Sequence, residues 1–183
     1  MVATVLSVSN ATKRFGGLVA VNNLSFNVNS DEVMGIIGPN GSGKTTMMNL
    51  ISGALRVSEG SISLDGRFIS SLTANQINQR GIARTFQLVR ILPSLTVVEN
   101  CMAGMVFGHR RIWGDQARYE AGNLIARVGL SGKEAVPVGS LTYIDQKRLE
   151  LARALAASPK LLLLDEWLAG LNPTELQEGI TLI

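Results

Sequence analysis

Residues 38–46, which read Gly-Pro-Asn-Gly-Ser-Gly-Lys-Thr-Thr, constrain the fold of this 183-residue chain more than any other segment. The preceding residues 33–37 are almost wholly apolar and predict a buried strand of a parallel sheet. The following residues 44–54 predict a helix. A G-x-x-x-x-G-K-[ST] motif between a strand and a helix is typical of a loop that wraps around phosphate groups. We therefore predict an α/β fold with a phosphate site at this loop.

The residue types in the loop fit ATP with Mg²⁺. Glycines allow the loop to curl so that several backbone N–H groups point inward, and the helix adds its positive N-terminal end. Lys44 would contact the β- and γ-phosphates, and the Thr45 hydroxyl would ligate Mg²⁺. The other predicted ATP-binding residues of the loop are Gly38, Asn40, Gly41, Ser42, Gly43 and Thr46. The alternative is a glycine-rich turn without a ligand, and the strand–loop–helix context argues against it.

A second candidate site follows the apolar run of residues 161–164. This run predicts a strand that delivers Asp165 to the carboxyl edge of the sheet, where it would hold Mg²⁺ directly or through water. Glu166 comes next and would polarise the attacking water. The alternative is an acidic pair that faces solvent, and the phosphate loop upstream favours the metal site.

The rest of the chain predicts a strand-rich part and a helical part. From about residue 96 to residue 130, small residues, methionines and a helical pattern replace the strand runs, which indicates a helical subdomain inserted into the α/β core. The helix after the phosphate loop is expected to bury Met48, Ile51 and Leu55. The predicted strands are 4–8 and 18–29 around Gly16-Gly17, a hairpin at 62–69 around Asp65-Gly66, and 82–86; the predicted helices are 73–80, 117–128, 142–157 and the beginning of one at 173–183.

Composition narrows the functional classes. No apolar stretch approaches the roughly 18 residues of a membrane helix, so we expect any membrane link to run through another subunit. Charged residues make up only 17% of the chain, which indicates either apolar surface that a partner covers, which we favour slightly, or a strand-rich core. The net charge of +3 suits polyanions such as nucleotide phosphates, and equally suits ordinary solubilising charge. The lone Cys101 excludes an intrachain disulfide.

The order of these motifs resembles that of the ABC ATPases. After the phosphate loop come Gln87 behind a predicted strand, residues 141–145 at the start of a helix, and the Asp165-Glu166 pair. Within that family the chain is most similar to the ATPase subunits of branched-chain amino acid importers. The segments that carry this similarity are Arg14-Phe15-Gly16-Gly17-Leu18-Val19-Ala20-Val21-Asn22-Asn23, Arg84-Thr85-Phe86-Gln87, Thr96-Val97-Val98-Glu99-Asn100 and Ala169-Gly170-Leu171-Asn172-Pro173.

The resemblance implies a P-loop NTPase fold, an ABC-type nucleotide-binding domain over residues 1–183 with a β subdomain and an inserted helical subdomain at residues 88–140. It implies that Phe15 stacks on adenine, that Gln87 contacts Mg²⁺ and the attacking water, and that Asn172 lies in a loop that crosses a dimer interface. Two nucleotide-binding subunits, identical or different, would sandwich two ATP molecules.

The same resemblance implies a place in the cell. The protein would lie at the cytoplasmic face of the membrane, bound through transmembrane permease subunits, and would couple ATP hydrolysis to import of a branched-chain amino acid or a similar amide or amino acid. No nucleic-acid partner is expected.

The signature segment departs from the family pattern. The family usually has Leu-Ser-x-Gly-Gln, and this chain has Leu141-Thr142-Tyr143-Ile144-Asp145. Ile144 places a β-branched side chain where glycine leaves a backbone N–H open to the partner's ATP. Asp145 brings a negative charge near a phosphate unless it points elsewhere, and its spacing from Thr142 also allows it to fold back on its own helix start. We expect weakened or asymmetric dimer-driven hydrolysis.

Other departures leave two rival functions open. Trp167 stands where the family usually has proline, which should alter the turn after Glu166. The family's catalytic histidine follows a later strand, whereas the single histidine here is His109, in a basic turn, so we expect the chain to be a C-terminally truncated product. One rival is a soluble ABC ATPase that acts on nucleic acid or ribosomes. The other is a nucleotide-binding module that does not hydrolyse ATP, which Ile144, Asp145 and the absent histidine favour.

Overall fold

The computed structural model describes residues 3–167 together with Ala169 and Gln177. The chain forms two compact units, residues 1–82 and residues 83–183. The predicted helix at 173–183 and the predicted interface residue Asn172 lie outside the described residues, apart from Gln177, which is helical.

The first unit is built on a four-stranded antiparallel sheet. Strands β1 (Thr4–Phe15) and β2 (Leu18–Asn29) form a long hairpin, and β3 (Glu59–Leu64) and β4 (Arg67–Phe68) form a short one, in the order β2-β1-β3-β4. The short hairpin turns at Asp65 and Gly66, both at positive φ (47° and 72°), as a type I′ turn requires. Both predicted turns are confirmed, and β1 continues to Phe15, beyond the predicted end at residue 8.

Two helices complete the first unit. Helix α1 (Lys44–Ile51) follows the phosphate loop and ends before Gly53, which has a φ of 75°. Its buried residues are Met47, Leu50 and Ile51, which confirms Ile51 of the expected face. Met48 and Leu55 are only half-buried, and Leu55 lies beyond the end of the helix. Helix α2 (Ala74–Gln79) begins with a reciprocal capping box between Thr73 and Gln76, as the pattern at 73–80 predicts.

The structure contradicts the predicted buried strand at residues 33–37. The segment has no strand geometry, and Val33 and Ile37 are 91% and 94% exposed. A strand needs a neighbour that supplies hydrogen bonds and covers its faces, and none of the strands that the structure describes pairs with this segment. The apolar composition of this segment therefore predicted a burial that the structure does not show.

The second unit combines a small sheet with three long helices. Strand β5 (Ile82–Arg84) pairs with β6 (Leu161–Leu163). Helices α3 (Val97–Phe107), α4 (Gly114–Arg127) and α5 (Tyr143–Ala156) pack through one apolar core. The core includes Val97, Cys101, Met105, Ala121, Ile125, Leu149, Leu151, Ala152 and Trp167. The predicted helices at 117–128 and 142–157 are confirmed, and the boundaries of a subdomain at 88–140 stay a prediction.

Within the second unit, α3 and α5 approach closely because Gly104 has no side chain. A Cβ at Gly104 would lie 2.5 Å from the carbonyl oxygen of Arg153 on α5. A capping box between Thr96 and Glu99 starts α3, and the Thr142 hydroxyl caps α5. None of the helices in the described part of the chain is long and apolar enough to span a bilayer.

Candidate active site

The phosphate loop is held in shape by the side chain of Lys44. Its ammonium donates hydrogen bonds to the carbonyl oxygens of Gly38 (2.7 Å) and Pro39 (2.9 Å), and the N–H of Ser42 donates to the same Pro39 oxygen (3.2 Å). A lysine ammonium has three donors, so one remains for an anion. The loop thus presents a cation beside its own exposed backbone.

Gly43 fixes the end of the loop against strand β2. It has a φ of 92° and forms the N-cap of α1 in the left-handed conformation. A Cβ at this position would lie 2.4 Å from the carbonyl oxygen of Ala20, so no other residue fits without displacing backbone.

The loop fits an anionic ligand. Residues 38–42 are exposed, and the N-terminus of α1 carries no acidic residue in its first turn. Exposed N–H groups at a helix start, together with a lysine, make a phosphate site. The Thr45 side chain is exposed and lies in the first turn of α1, where its hydroxyl is available to a cation.

Phe15 ends strand β1 at the tip of the long hairpin and is 45% exposed. The Lys13 ammonium lies 5.1 Å from the centroid of its ring and also donates to the Arg56 carbonyl oxygen at 2.8 Å. The cation orients the ring, and the exposed part of the ring is free to stack on a flat base.

At the end of β6, Asp165 forms a buried ion pair that sequence analysis missed. Its Oδ2 accepts a hydrogen bond of 2.6 Å from Arg84, and the two side chains are 10% and 5% exposed. The guanidinium occupies one carboxylate oxygen and leaves Oδ1 for a cation or its water. One short apolar strand ends with the basic Arg84, and another is followed by the acidic Asp165. This pattern is the sequence signal that could have predicted the pair.

The structure brings two of the predicted catalytic residues together. Gln87 Nε2 donates to Glu166 Oε2 at 2.8 Å, and both side chains are exposed. Glu166 has a φ of 47°, a conformation that a residue with a side chain adopts at an energetic cost. The arrangement suits an amide that orients the carboxylate, and the catalytic roles of both residues stay predictions.

No group of three or more His, Cys, Asp or Glu side chains that could hold a metal occurs among the described residues. A cation at Asp165 would therefore need oxygen ligands other than carboxylates, such as water or the oxygens of a bound phosphate. Magnesium has this preference, since it usually binds one or two carboxylates together with substrate phosphates.

The structure shows where Asp145 points. Its carboxylate is 5% exposed, and Oδ2 accepts from Lys133 Nζ at 2.5 Å while Oδ1 lies 3.9 Å from Arg148. The expected fold-back is half right: the Asp145 N–H donates to the Thr142 hydroxyl at 3.3 Å, but the carboxylate binds Lys133 instead of the helix start. The charge of Asp145 is therefore neutralised inside its own unit.

The other signature residues differ in exposure. Leu141 is buried in the core, Thr142 and Tyr143 are exposed, and Ile144 is half-buried. The apolar side chain of Ile144 thus keeps part of its surface accessible at the helix start.

Helix α5 also holds the segment around Gln87 through Glu150. Glu150 is 1% exposed, and its Oε1 accepts from the N–H groups of Phe86 (3.3 Å) and Arg90 (3.1 Å). Burial raises the pKa of Glu150 above its ordinary value, and these hydrogen bonds partly offset the effect. Sequence analysis missed this residue, although it lies three positions after Lys147 on a helix face that is otherwise apolar.

Comparisons with known proteins identify the family. A phosphate loop at a helix start, with an acidic pair at the end of a strand, defines the class of ATP-binding P-loop domains. Residues 21–169 match the family model described as ABC transporter. The chain belongs to the ABC transporter family, and the family predicted from the sequence is thereby confirmed.

Three relatives illustrate the match. The high-affinity branched-chain amino acid transport ATP-binding protein LivG of Salmonella typhimurium is 38% identical over 95% of this chain and 73% of its own length. BraF of Pseudomonas aeruginosa, which has the same description, is 37% identical over 98% of this chain and 75% of its own. The structure of the ATP-binding cassette MJ0796, a dimer in a post-hydrolysis state bound to ADP and Pi, has a TM-score of 0.85 at 27% identity and covers 97% of this chain and 80% of that one.

Proposed function

We propose that this chain is the ATP-binding subunit of an ABC importer for branched-chain amino acids or similar amides and amino acids. The phosphate loop, with Lys44 folded over the carbonyls of Gly38 and Pro39, carries the proposal that it binds ATP. The descriptions of LivG and BraF, both branched-chain amino acid transport ATP-binding proteins, support the solute class.

In this proposal the nucleotide would be bound at both of its ends. Phe15 would stack on the adenine, and Lys44 would hold the β- and γ-phosphates. The backbone of the loop would surround the phosphates through Gly38, Asn40, Gly41, Ser42, Gly43, Thr45 and Thr46. Glycine at positions 41 and 43, both at positive φ, supports such a backbone cradle.

Magnesium would be held by Thr45, Gln87 and Asp165, and when bound it would neutralise charge on the phosphates. The single carboxylate oxygen that Arg84 leaves on Asp165 supports this choice of cation. Glu166 would be the general base for the attacking water, and Gln87 would orient it.

The partners would be a second nucleotide-binding subunit and transmembrane permease subunits. The dimeric state of MJ0796 supports the first of these. Residues 141–145 would then face the ATP of the partner, and residues 88–140 would dock on the permease at the cytoplasmic face of the membrane. The burial of Asp145 on Lys133 supports this arrangement, since it removes a repulsion from the partner's phosphate.

Replacing Lys44 with alanine is expected to weaken ATP binding roughly 10- to 100-fold, the loss of a hydrogen bond to a charged group. Equilibrium titration with a fluorescent ATP analogue and Mg²⁺ measures this. Lys160→Ala, a change at an exposed lysine, serves as the matched control and should bind as the wild type does.

Equal affinity in the Lys44→Ala and Lys160→Ala variants would contradict the nucleotide site.

The molecules that co-purify with the chain test the transport part of the proposal. Co-purification with permease proteins from detergent-solubilised membranes supports an importer, and recovery with nucleic acid or ribosomes instead would favour the soluble alternative.

A second candidate, a nucleotide-binding module without turnover, is favoured by Ile144 at the helix start. If the half-buried Ile144 side chain blocks the backbone there, Ile144→Gly should raise the rate of phosphate release severalfold in the dimer. A steady-state ATPase assay over a range of protein concentrations measures this. An unchanged rate would show that Ile144 does not weaken hydrolysis.

A further inference from the structure

A ring of hydrogen bonds ties the Gln87–Glu166 pair to helix α5. The Lys147 ammonium donates to the Gln87 carbonyl oxygen at 3.1 Å, and the Trp167 indole N–H donates to the Lys147 carbonyl oxygen at 3.1 Å. The side-chain contact from Gln87 to Glu166 and the peptide bond from Glu166 to Trp167 close the ring.

Lys147 is an unusual residue to find inside a protein. It is 0% exposed, and its ammonium lies 5.7 Å from the centroid of the Tyr143 ring, with the Gln87 carbonyl as its hydrogen-bond acceptor. An ammonium in such a place costs free energy unless it is paired and hydrogen-bonded. The contact it makes is to the backbone of the residue that bears the predicted catalytic amide.

Trp167 anchors the other half of the ring. It is 2% exposed within the helical core, and its single donor is satisfied by α5. It directly follows Glu166, whose positive φ persists only if its surroundings hold it. Proline, which the family usually has here, carries no side-chain hydrogen-bond donor, so it could not make the bond that the Trp167 indole makes.

We propose that Lys147 and Trp167 are positioning residues that hold Gln87 and Glu166 in contact through helix α5. The inference rests on the ATP hydrolysis proposed above and deepens it. Lys147 fixes the backbone of Gln87, Trp167 fixes the strained turn at Glu166, and Lys147 provides both attachment points on α5, its ammonium and its carbonyl oxygen.

Trp167→Phe removes the indole N–H and keeps an aromatic ring in the core. We expect kcat for ATP to fall roughly 10- to 100-fold, the effect of a misplaced catalytic group, with KM for ATP within about twofold of the wild type. Trp113→Phe makes the same chemical change at a residue that is 67% exposed and should leave kcat unchanged.

If Trp167 only stabilised the fold, its loss and the loss of the Gln87 side chain would lower kcat independently. Adding Trp167→Phe to Gln87→Ala should lower kcat by a smaller factor than Trp167→Phe does on its own, because both changes loosen the same Gln87–Glu166 pair; fully additive losses would overturn the proposal. Lys147→Met should lower kcat as Trp167→Phe does, and Lys147→Arg, which retains a donor, should restore most of it. These two variants decide the question if Trp167→Phe fails to fold.

A fluorescence measurement separates this inference from the proposed ATPase activity. The chain has two tryptophans, so Trp113→Phe leaves Trp167 as the single reporter. A non-hydrolysable ATP analogue with Mg²⁺ should shift Trp167 emission, and that shift should disappear when Lys147→Met is added. If the Trp167 shift behaves as expected but no phosphate is released, the proposed hydrolysis is refuted and the positioning role is not. Normal turnover in Trp167→Phe, or a shift that survives Lys147→Met, would refute the positioning role.

Discussion

Replacing Arg84 with methionine is expected to lower the free energy of unfolding by about 3–5 kcal/mol. Arg84 and Asp165 are almost completely buried and meet at 2.6 Å, so the variant leaves the Asp165 carboxylate without its cation. A buried charge that loses its partner is among the most destabilising defects that a single substitution creates. Guanidinium chloride unfolding followed by circular dichroism gives the change, provided the slope with denaturant stays constant.

Arg110→Met is the matched control for this experiment. Arg110 pairs with Glu120 at 3.3 Å, but the two side chains are 54% and 29% exposed. Solvent screens such a pair, and its loss should cost about 0–1 kcal/mol. Adding Asp165→Asn to Arg84→Met removes the stranded charge and should recover part of the stability. If Arg84→Met costs no more than Arg110→Met, burial of the pair has no energetic role.

Replacing Glu166 with glutamine is expected to lower kcat for ATP roughly 10²- to 10⁴-fold, the usual contribution of a general base. The substitution keeps the shape of the side chain and an oxygen that accepts from Gln87, while it removes the group that would take a proton from water. ATP affinity should therefore stay close to that of the wild type. Single-turnover phosphate release together with nucleotide titration separates the two effects.

The same experiment distinguishes turnover from binding alone. Glu59→Gln is the control, since Glu59 is an exposed glutamate whose side chain pairs with Arg14 on the surface sheet. If neither the wild-type protein nor Glu166→Gln releases phosphate above the rate in protein-free buffer, the chain is a nucleotide-binding module without turnover. If Glu166→Gln and Glu59→Gln both retain wild-type rates, another group is the base.

Elements with a local cause could be predicted from the sequence. The hairpin at Asp65-Gly66 follows from two residues that tolerate positive φ, and the phosphate loop follows from its glycines and its lysine. The starts of α3 and α5 follow from Thr96 and Thr142, which supply side-chain caps.

What could not be predicted depends on residues far apart in the chain. The apolar run at 33–37 predicts a strand only if a partner strand is assumed, and the sequence does not say which strand that is. The direction of Asp145 depends on Lys133, in the loop before the short helical turn at 138–140. The effect of Trp167 depends on a carbonyl twenty positions earlier. Such long-range pairs carry no local pattern.

Gly43 of the phosphate loop packs directly against the backbone of the long hairpin at the carbonyl oxygen of Ala20. Phe15 stands at the tip of that hairpin, three residues before the strand that carries Ala20. The backbone of the hairpin therefore connects the residue that bears the aromatic ring to the phosphate loop. A nucleotide that contacts both Phe15 and the phosphate loop must span the stretch of hairpin between them. Its length from base to terminal phosphate would therefore affect its affinity.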